Sequence, residues 1–168
     1  LVVDLGFLRK AALQTRIMAS VLIGLFGCGA AVFFMPFQAD GGLSYPGSTD
    51  LMLSAGGYAA IAQVGILMLT VLTLFLLIGS DFTKHVGEFV AVVLMAATGG
   101  LLISAAQDLL VIFVGLELLS LGLYILTAFA KRSGKSAESA MKYYLFGGMS
   151  AAFLLFGFSY LYGLTGST

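Results

Sequence analysis

The sequence predicts an all-α fold, a polytopic bundle of transmembrane helices with about five full spans. Apolar residues make up 60% of the chain and charged residues only 10%. The mean hydropathy of +1.08 lies above what a soluble domain carries. Uncharged stretches long enough to cross a hydrocarbon core of about 30 Å recur along the chain, and the alternation over about 10 residues that marks a membrane barrel is absent. The expected spans are 17–35, 57–79, 88–106, 108–130 and 138–163, all within one partial transmembrane domain over 1–168.

The first eight residues, Leu1 to Leu8, are apolar but too short to cross, and they run directly into Arg9-Lys10. A cleavable signal peptide carries its charge before the apolar stretch, whereas here the charge follows it. The segment therefore reads as the tail of an earlier helix, and the chain as a fragment of a longer protein. Met35-Pro36 is expected to end the first span, because proline lacks an N–H and restricts its predecessor. Asp40-Gly41-Gly42 and Pro46-Gly47 read as turns in the longest outer loop. The stretch from Leu51 to Ser80 is long for one crossing, so its start around Gly56-Gly57 belongs at the interface or outside. Asp108 is a candidate N-cap for the fourth span, and Ser136 for the fifth with Glu138 in its first turn. Gly24, Gly27, Gly99, Gly100, Gly147 and Gly148 suit close helix approach within the membrane.

Orientation follows from charge. The eight Lys and Arg residues fall in three places: Arg9, Lys10 and Arg16; Lys84; and Lys131, Arg132, Lys135 and Lys142. These places alternate with the spans and so share one side, which the positive-inside rule makes cytoplasmic. The opposite loops hold Asp40, Asp50 and Asp108 and no basic residue.

The motifs of soluble enzymes are missing. Cys28 is the one cysteine and lies inside a span, so it cannot form an intrachain disulfide and reads as packing. His85, the one histidine, sits in a short loop beside Lys84 and Glu88 and reads as a loop residue, without a second histidine to share a metal. There is no phosphate-binding loop and no dinucleotide-binding glycine pattern. The chain itself carries no evident redox or nucleotide chemistry.

What remains is an ionisable residue at bilayer depth. Glu117 lies thirteen residues from Ala130, about 20 Å in from the cytoplasmic end at the helical rise. Its cost in hydrocarbon makes it a proton or ion site by default, with a structural polar link as the competing reading. Ser120 and Tyr124, at i+3 and i+7, share its face and extend a polar path. Ser104, Gln107 and Gln63 are further polar candidates. Lys142 lies only about 6 Å into the fifth span, which fits either an interfacial anchor or a member of a proton path. A direct pair with Glu117 would have to bridge more than about 10 Å of depth, so a relay or a closer partner is expected.

These residues carry a resemblance. Gly115-Leu-Glu117-Leu-Leu-Ser-Leu-Gly-Leu-Tyr124, then Lys131-Arg132, then Ser136-Ala-Glu138-Ser-Ala-Met-Lys142-Tyr143 resembles the subunit N family of NADH-quinone oxidoreductase, respiratory complex I. Glu88-Phe89 with Thr98-Gly99-Gly100, and Leu154-Leu155-Phe156-Gly157 to Tyr162-Gly163, are similar too. The resemblance implies an antiporter-like membrane-arm subunit of a larger fold, in which a helix glutamate and lysines form a proton channel. Glu117 matches that glutamate and Lys142 a lysine at the start of the next helix, while the remaining channel lysines would lie beyond Thr168. It implies a proton-translocating role that couples quinone reduction to pumping, as a subunit of an enzyme whose NADH, FMN, iron-sulfur clusters and quinone are held by partner subunits. The implied partners are other membrane-arm subunits, including a neighbouring antiporter-like subunit and small membrane subunits, in the lipid bilayer and without nucleic acid. The implied location is the bacterial inner membrane, with organelle inner membranes and thylakoids as alternatives. A subunit of a multisubunit cation/proton antiporter and a non-transporting membrane scaffold are the competing readings.

Overall fold

The computed structural model describes residues 13–39, 53, 57–78 and 85–166, together with the order of their helices. The expectations for Leu1 to Lys10, the turns at 40–50, Gly56 and Lys84 fall outside these residues. Five helices follow one another: α1 (Leu13–Ala39), α2 (Tyr58–Leu77), α3 (Val86–Ala105), α4 (Leu109–Thr127) and α5 (Gly134–Thr165). All five are long and apolar enough to cross a membrane by length and composition. Backbone groups in lipid must be satisfied within the segment, and the helical ladder does this. Intramembrane hydroxyls follow the same rule: Thr70, Thr73, Thr98 and Thr127 each donate to the carbonyl four residues earlier, all at 2.8 Å.

Helix ends depart from expectation in two places. Pro36 does not end α1, which continues to Ala39; a proline this close to the C-terminus forfeits one hydrogen bond without stopping the last turn. The N-cap of α5 is Ser133, three residues before Ser136, and its hydroxyl accepts from the Ser136 N–H at 3.3 Å. Ser136 is thereby freed to donate its own hydroxyl to the Thr127 carbonyl at 2.5 Å, which ties the start of α5 to the end of α4. Glu138 consequently lies beyond the first turn of α5. Asp108 caps α4 as its position suggests, accepting from the Leu110 N–H at 2.7 Å.

The core clusters where α1, α2 and α3 meet. Ile17, Val21, Leu74, Leu77, Val86 and Val90 are buried there, with Leu25, Phe89 and Leu94 packed around them. All lie toward the end of the bundle that carries Arg16 and Lys131, the basic end. The opposite, outer end has an isolated antiparallel bridge between Leu53 and Ala106, which fixes that point of the long outer loop beside the α3–α4 turn.

The α3–α4 interface is the most extensive among the described helices, and small residues bring the two backbones close. A methyl on Gly99 would lie 2.5 Å from the Leu119 N and 2.8 Å from the Gly115 O. A methyl on Gly115 would meet Ile103 Cγ1 at 2.8 Å, and one on Gly122 would meet Ala96 Cβ at 2.7 Å. Lipid offers no hydrophobic drive between helices, so this van der Waals fit is what holds them. Gly115 and Gly122 carry such packing, whereas around Gly27 and Gly148 no atom of the described residues lies within reach of a methyl. Helix α5 rests chiefly on α4, and none of its described residues is buried.

Candidate functional site

Glu117 is the ninth of the nineteen residues of α4. From the ends of the helix it is about 12 Å and about 15 Å at the usual rise, which puts it near the middle of the span. The depth of about 20 Å counted from Ala130 is too large, because Ala128 to Ala130 have left the helix for the turn into α5.

The face it occupies follows from the α3 contact. Gly115, Leu119 and Gly122 define the side of α4 against α3, and Glu117 lies roughly 170° around the helix from their centre at 100° per residue. Tyr124 falls on the same opposite face, with Ser120 at its edge. That face turns toward α5 at its basic half. The Tyr124 hydroxyl occupies the space a side chain at Gly147 would need. Its ring also meets Tyr143 and Tyr144 edge-on, with centroids 4.9 Å and 5.7 Å apart. Glycine at 147 thus makes room for the tyrosine that stands between the Glu117 face and the basic end.

All three side chains on this face are half-buried. Among the described residues, Glu117 has no ion-pair or hydrogen-bond partner, and the hydroxyls of Ser120 and Tyr124 make no hydrogen bond. This sets them apart from the threonines, whose hydroxyls are satisfied by their own helices. A carboxyl group near mid-bilayer with two free hydroxyls along its face can hold a proton and hand it on.

Lys142 is not part of this group. It pairs with Glu138 one turn earlier, its side chain 66% exposed. It lies roughly 140° around α5 from the residues that meet α4, so depth and direction both separate it from Glu117. Ser104 donates to the Leu101 carbonyl at 2.8 Å near the outer end, Gln107 is exposed beyond α3, and Gln63 stands half-buried on α2.

Glu88 is the residue the sequence reading passed over. Its Oε1 is 3.2 Å from His85 Nδ1 and its Oε2 is 3.7 Å from Lys131 Nζ. His85 is therefore engaged at the start of α3, rather than a bystander in its loop. The spacing of three between His85 and Glu88 at a helix start is the signal that could have revealed the pair. Among the described residues no group of three His, Cys, Asp or Glu side chains could hold a metal ion.

Comparison with known proteins places these features in context. Residues 106–168, which contain Glu117, Ser120, Tyr124 and Lys142, match the family described as "NADH:quinone oxidoreductase/Mrp antiporter, TM". NADH-quinone oxidoreductase subunit N 2 of Acidobacterium capsulatum is 43% identical over 170 residues, covering 95% of this chain and 33% of that protein. NAD(P)H-quinone oxidoreductase subunit 2 of a Synechococcus strain is 40% identical over 178 residues, again 95% of this chain and 33% of the relative. Among solved structures, a chain of respiratory complex I from Thermus thermophilus, solved with bound aureothin, superposes with a TM-score of 0.73. It is 29% identical and is matched over 90% of this chain and 33% of its own length. The chain spans about a third of the length of the curated relatives it matches.

Proposed function

Because this chain belongs to the antiporter-like membrane-subunit family of NADH-quinone oxidoreductase subunit N, we propose that it forms part of a proton-translocating membrane arm. In this reading the Glu117 carboxyl holds a proton near mid-bilayer and passes it along the Ser120 and Tyr124 hydroxyls. The observation that carries the reading is Glu117 itself, half-buried on α4 with no counter-charge among the described residues. An ionisable group so placed is expensive to keep unless it works. Lys142 acts as a cation near the basic end, where its pair with Glu138 can open to admit a proton or an anion. Electrons from NADH or a related donor reach quinone through FMN and iron-sulfur clusters in partner subunits, and this chain does no redox chemistry. Its partners are other membrane-arm subunits, a neighbouring antiporter-like subunit among them, in a bacterial inner membrane or an organelle membrane of that descent.

A tagged full-length protein extracted from its native membrane in mild detergent tests the assignment. Comigration of quinone reductase activity, driven by NADH or ferredoxin, supports it. Recovery with membrane transporters alone, and no reductase activity, replaces it with a cation/proton antiporter, the second activity in the description of the matching family.

A further inference from the structure

We propose that Glu88 is a positioning residue, whose carboxylate clasps the α4–α5 turn to the start of α3 and so closes the basic end of the Glu117 face. The role given to that face rests on the proton-site reading, but the clasp itself does not. The two carboxylate oxygens serve different elements. Oε1 takes His85 at the cap of its own helix, and Oε2 takes Lys131 from the next turn. Next to Glu88 and two residues before Lys131, Phe89 and Phe129 meet edge-on with centroids 5.1 Å apart and planes at 86°. An exposed ion pair is weak alone, and so is a single aromatic pair. Adjacent on the same two segments, they fix both position and direction. The turn is built to present both side chains, since the Lys131 N–H donates to the Phe129 carbonyl at 2.9 Å and the Ser133 N–H to the Ala130 carbonyl at 2.9 Å.

The same turn sets where α5 begins. Ser133 caps α5, and Ser136 donates to the Thr127 carbonyl of α4. Two turns further on, Gly147 and the two tyrosines Tyr143 and Tyr144 enclose Tyr124. A continuous set of contacts therefore runs from Glu88 through the turn to the aromatic group between the basic end and Glu117. Releasing Glu88 frees the turn and lets the start of α5 swing away from Tyr124. Water from the basic end then gains access to Ser120, while the outer half, held by the Gly99 and Gly115 contacts, stays as it is.

The test uses the full-length protein with its native partners in membrane vesicles. A cysteine replaces Ser120, one turn from Glu117 on its basic side, or Ser104 near the outer end, and alkylation by a water-soluble maleimide is timed. Cys28, buried at 4% exposure, supplies the background rate. In the Glu88→Gln and Lys131→Met backgrounds, the cysteine at 120 is expected to react about five-fold faster, the scale set by one exposed ion pair. The cysteine at 104 keeps its rate, the double variant is no faster than either single one, and the exchange Glu88→Lys with Lys131→Glu restores slow labelling. Lys131 is exposed in a turn, so its replacement leaves folding intact. Unchanged labelling at 120, or an equal rise at 104, overturns the clasp. A neutral Glu117→Gln variant would overturn the proton-site reading and leave these labelling results standing.

Discussion

At the scale of single residues, the proposed site is an arrangement of three side chains on one face of α4. Glu117 supplies the ionisable group, and Ser120 and Tyr124 supply hydroxyls left free by the surrounding helices. Their contributions are unequal, because a water molecule can stand in for a hydroxyl but not for a carboxyl. Ser120→Ala and Tyr124→Phe are accordingly expected to slow proton translocation by about ten-fold at most, measured by a pH-sensitive dye in vesicles. Tyr124→Phe keeps the ring contacts with Tyr143 and Tyr144, so it isolates the hydroxyl from the packing. Lys142→Met should have a smaller effect than Glu117→Gln, since its partner is Glu138 on the outward side of α5. Equal losses at both positions would bring Lys142 into the path. Glu117 was legible in the sequence because a charge inside an apolar run stands out at once. The direction in which Lys142 points was not legible, since it depends on which face of α5 meets α4.

At the scale of helices, two devices make predictions. The Asp108 cap accepts one of the orphan N–H groups at the start of α4. Its replacement by alanine is expected to cost about 1 kcal/mol, read as a lowered thermal transition in detergent, with Asp108→Asn retaining most of the stability. The α3–α4 contact is less forgiving. Gly99→Val has to displace the backbone of Leu119, not a flexible side chain, so the helices must part and assembled protein should fall sharply in a membrane extract. The existence of each helix was written in its length and hydropathy. Which glycines pack was only half legible, because Gly24, Gly99 and Gly147 fit the expectation while Gly115 and Gly122 were read as part of a motif. The shift of the α5 cap from Ser136 to Ser133 turns on competition between two serines for the same helix start. That competition was decided by the Thr127 carbonyl, which a local reading of the sequence does not see.

At the scale of the whole molecule, the helices form a graded assembly. Among the described residues, a buried cluster joins α1, α2 and α3 near the basic end, the glycine contact adds α4, and α5 packs on α4 without a buried residue of its own. Within these helices Glu117 sits on the face of α4 turned away from the tight contact with α3. That is where a side chain can change its protonation or its contacts without unpacking a core. Multi-pass membrane character and membership of the antiporter-like family were both accessible from sequence, the first from composition and the second from the run between Gly115 and Tyr143. The clasp at Glu88 was not accessible, since it joins two elements more than forty positions apart.

The central claim is that Glu117 carries a transferable proton. It is tested most directly in membrane vesicles by measuring protons moved per quinone reduced by the full-length protein with its native partners, as wild type and as Glu117→Gln. The amide keeps the size and polarity of the side chain but cannot release a proton. The account predicts normal assembly together with a clear fall in protons moved per quinone. An unchanged ratio in a correctly assembled Glu117→Gln variant would contradict it and leave Glu117 as a structural link between helices.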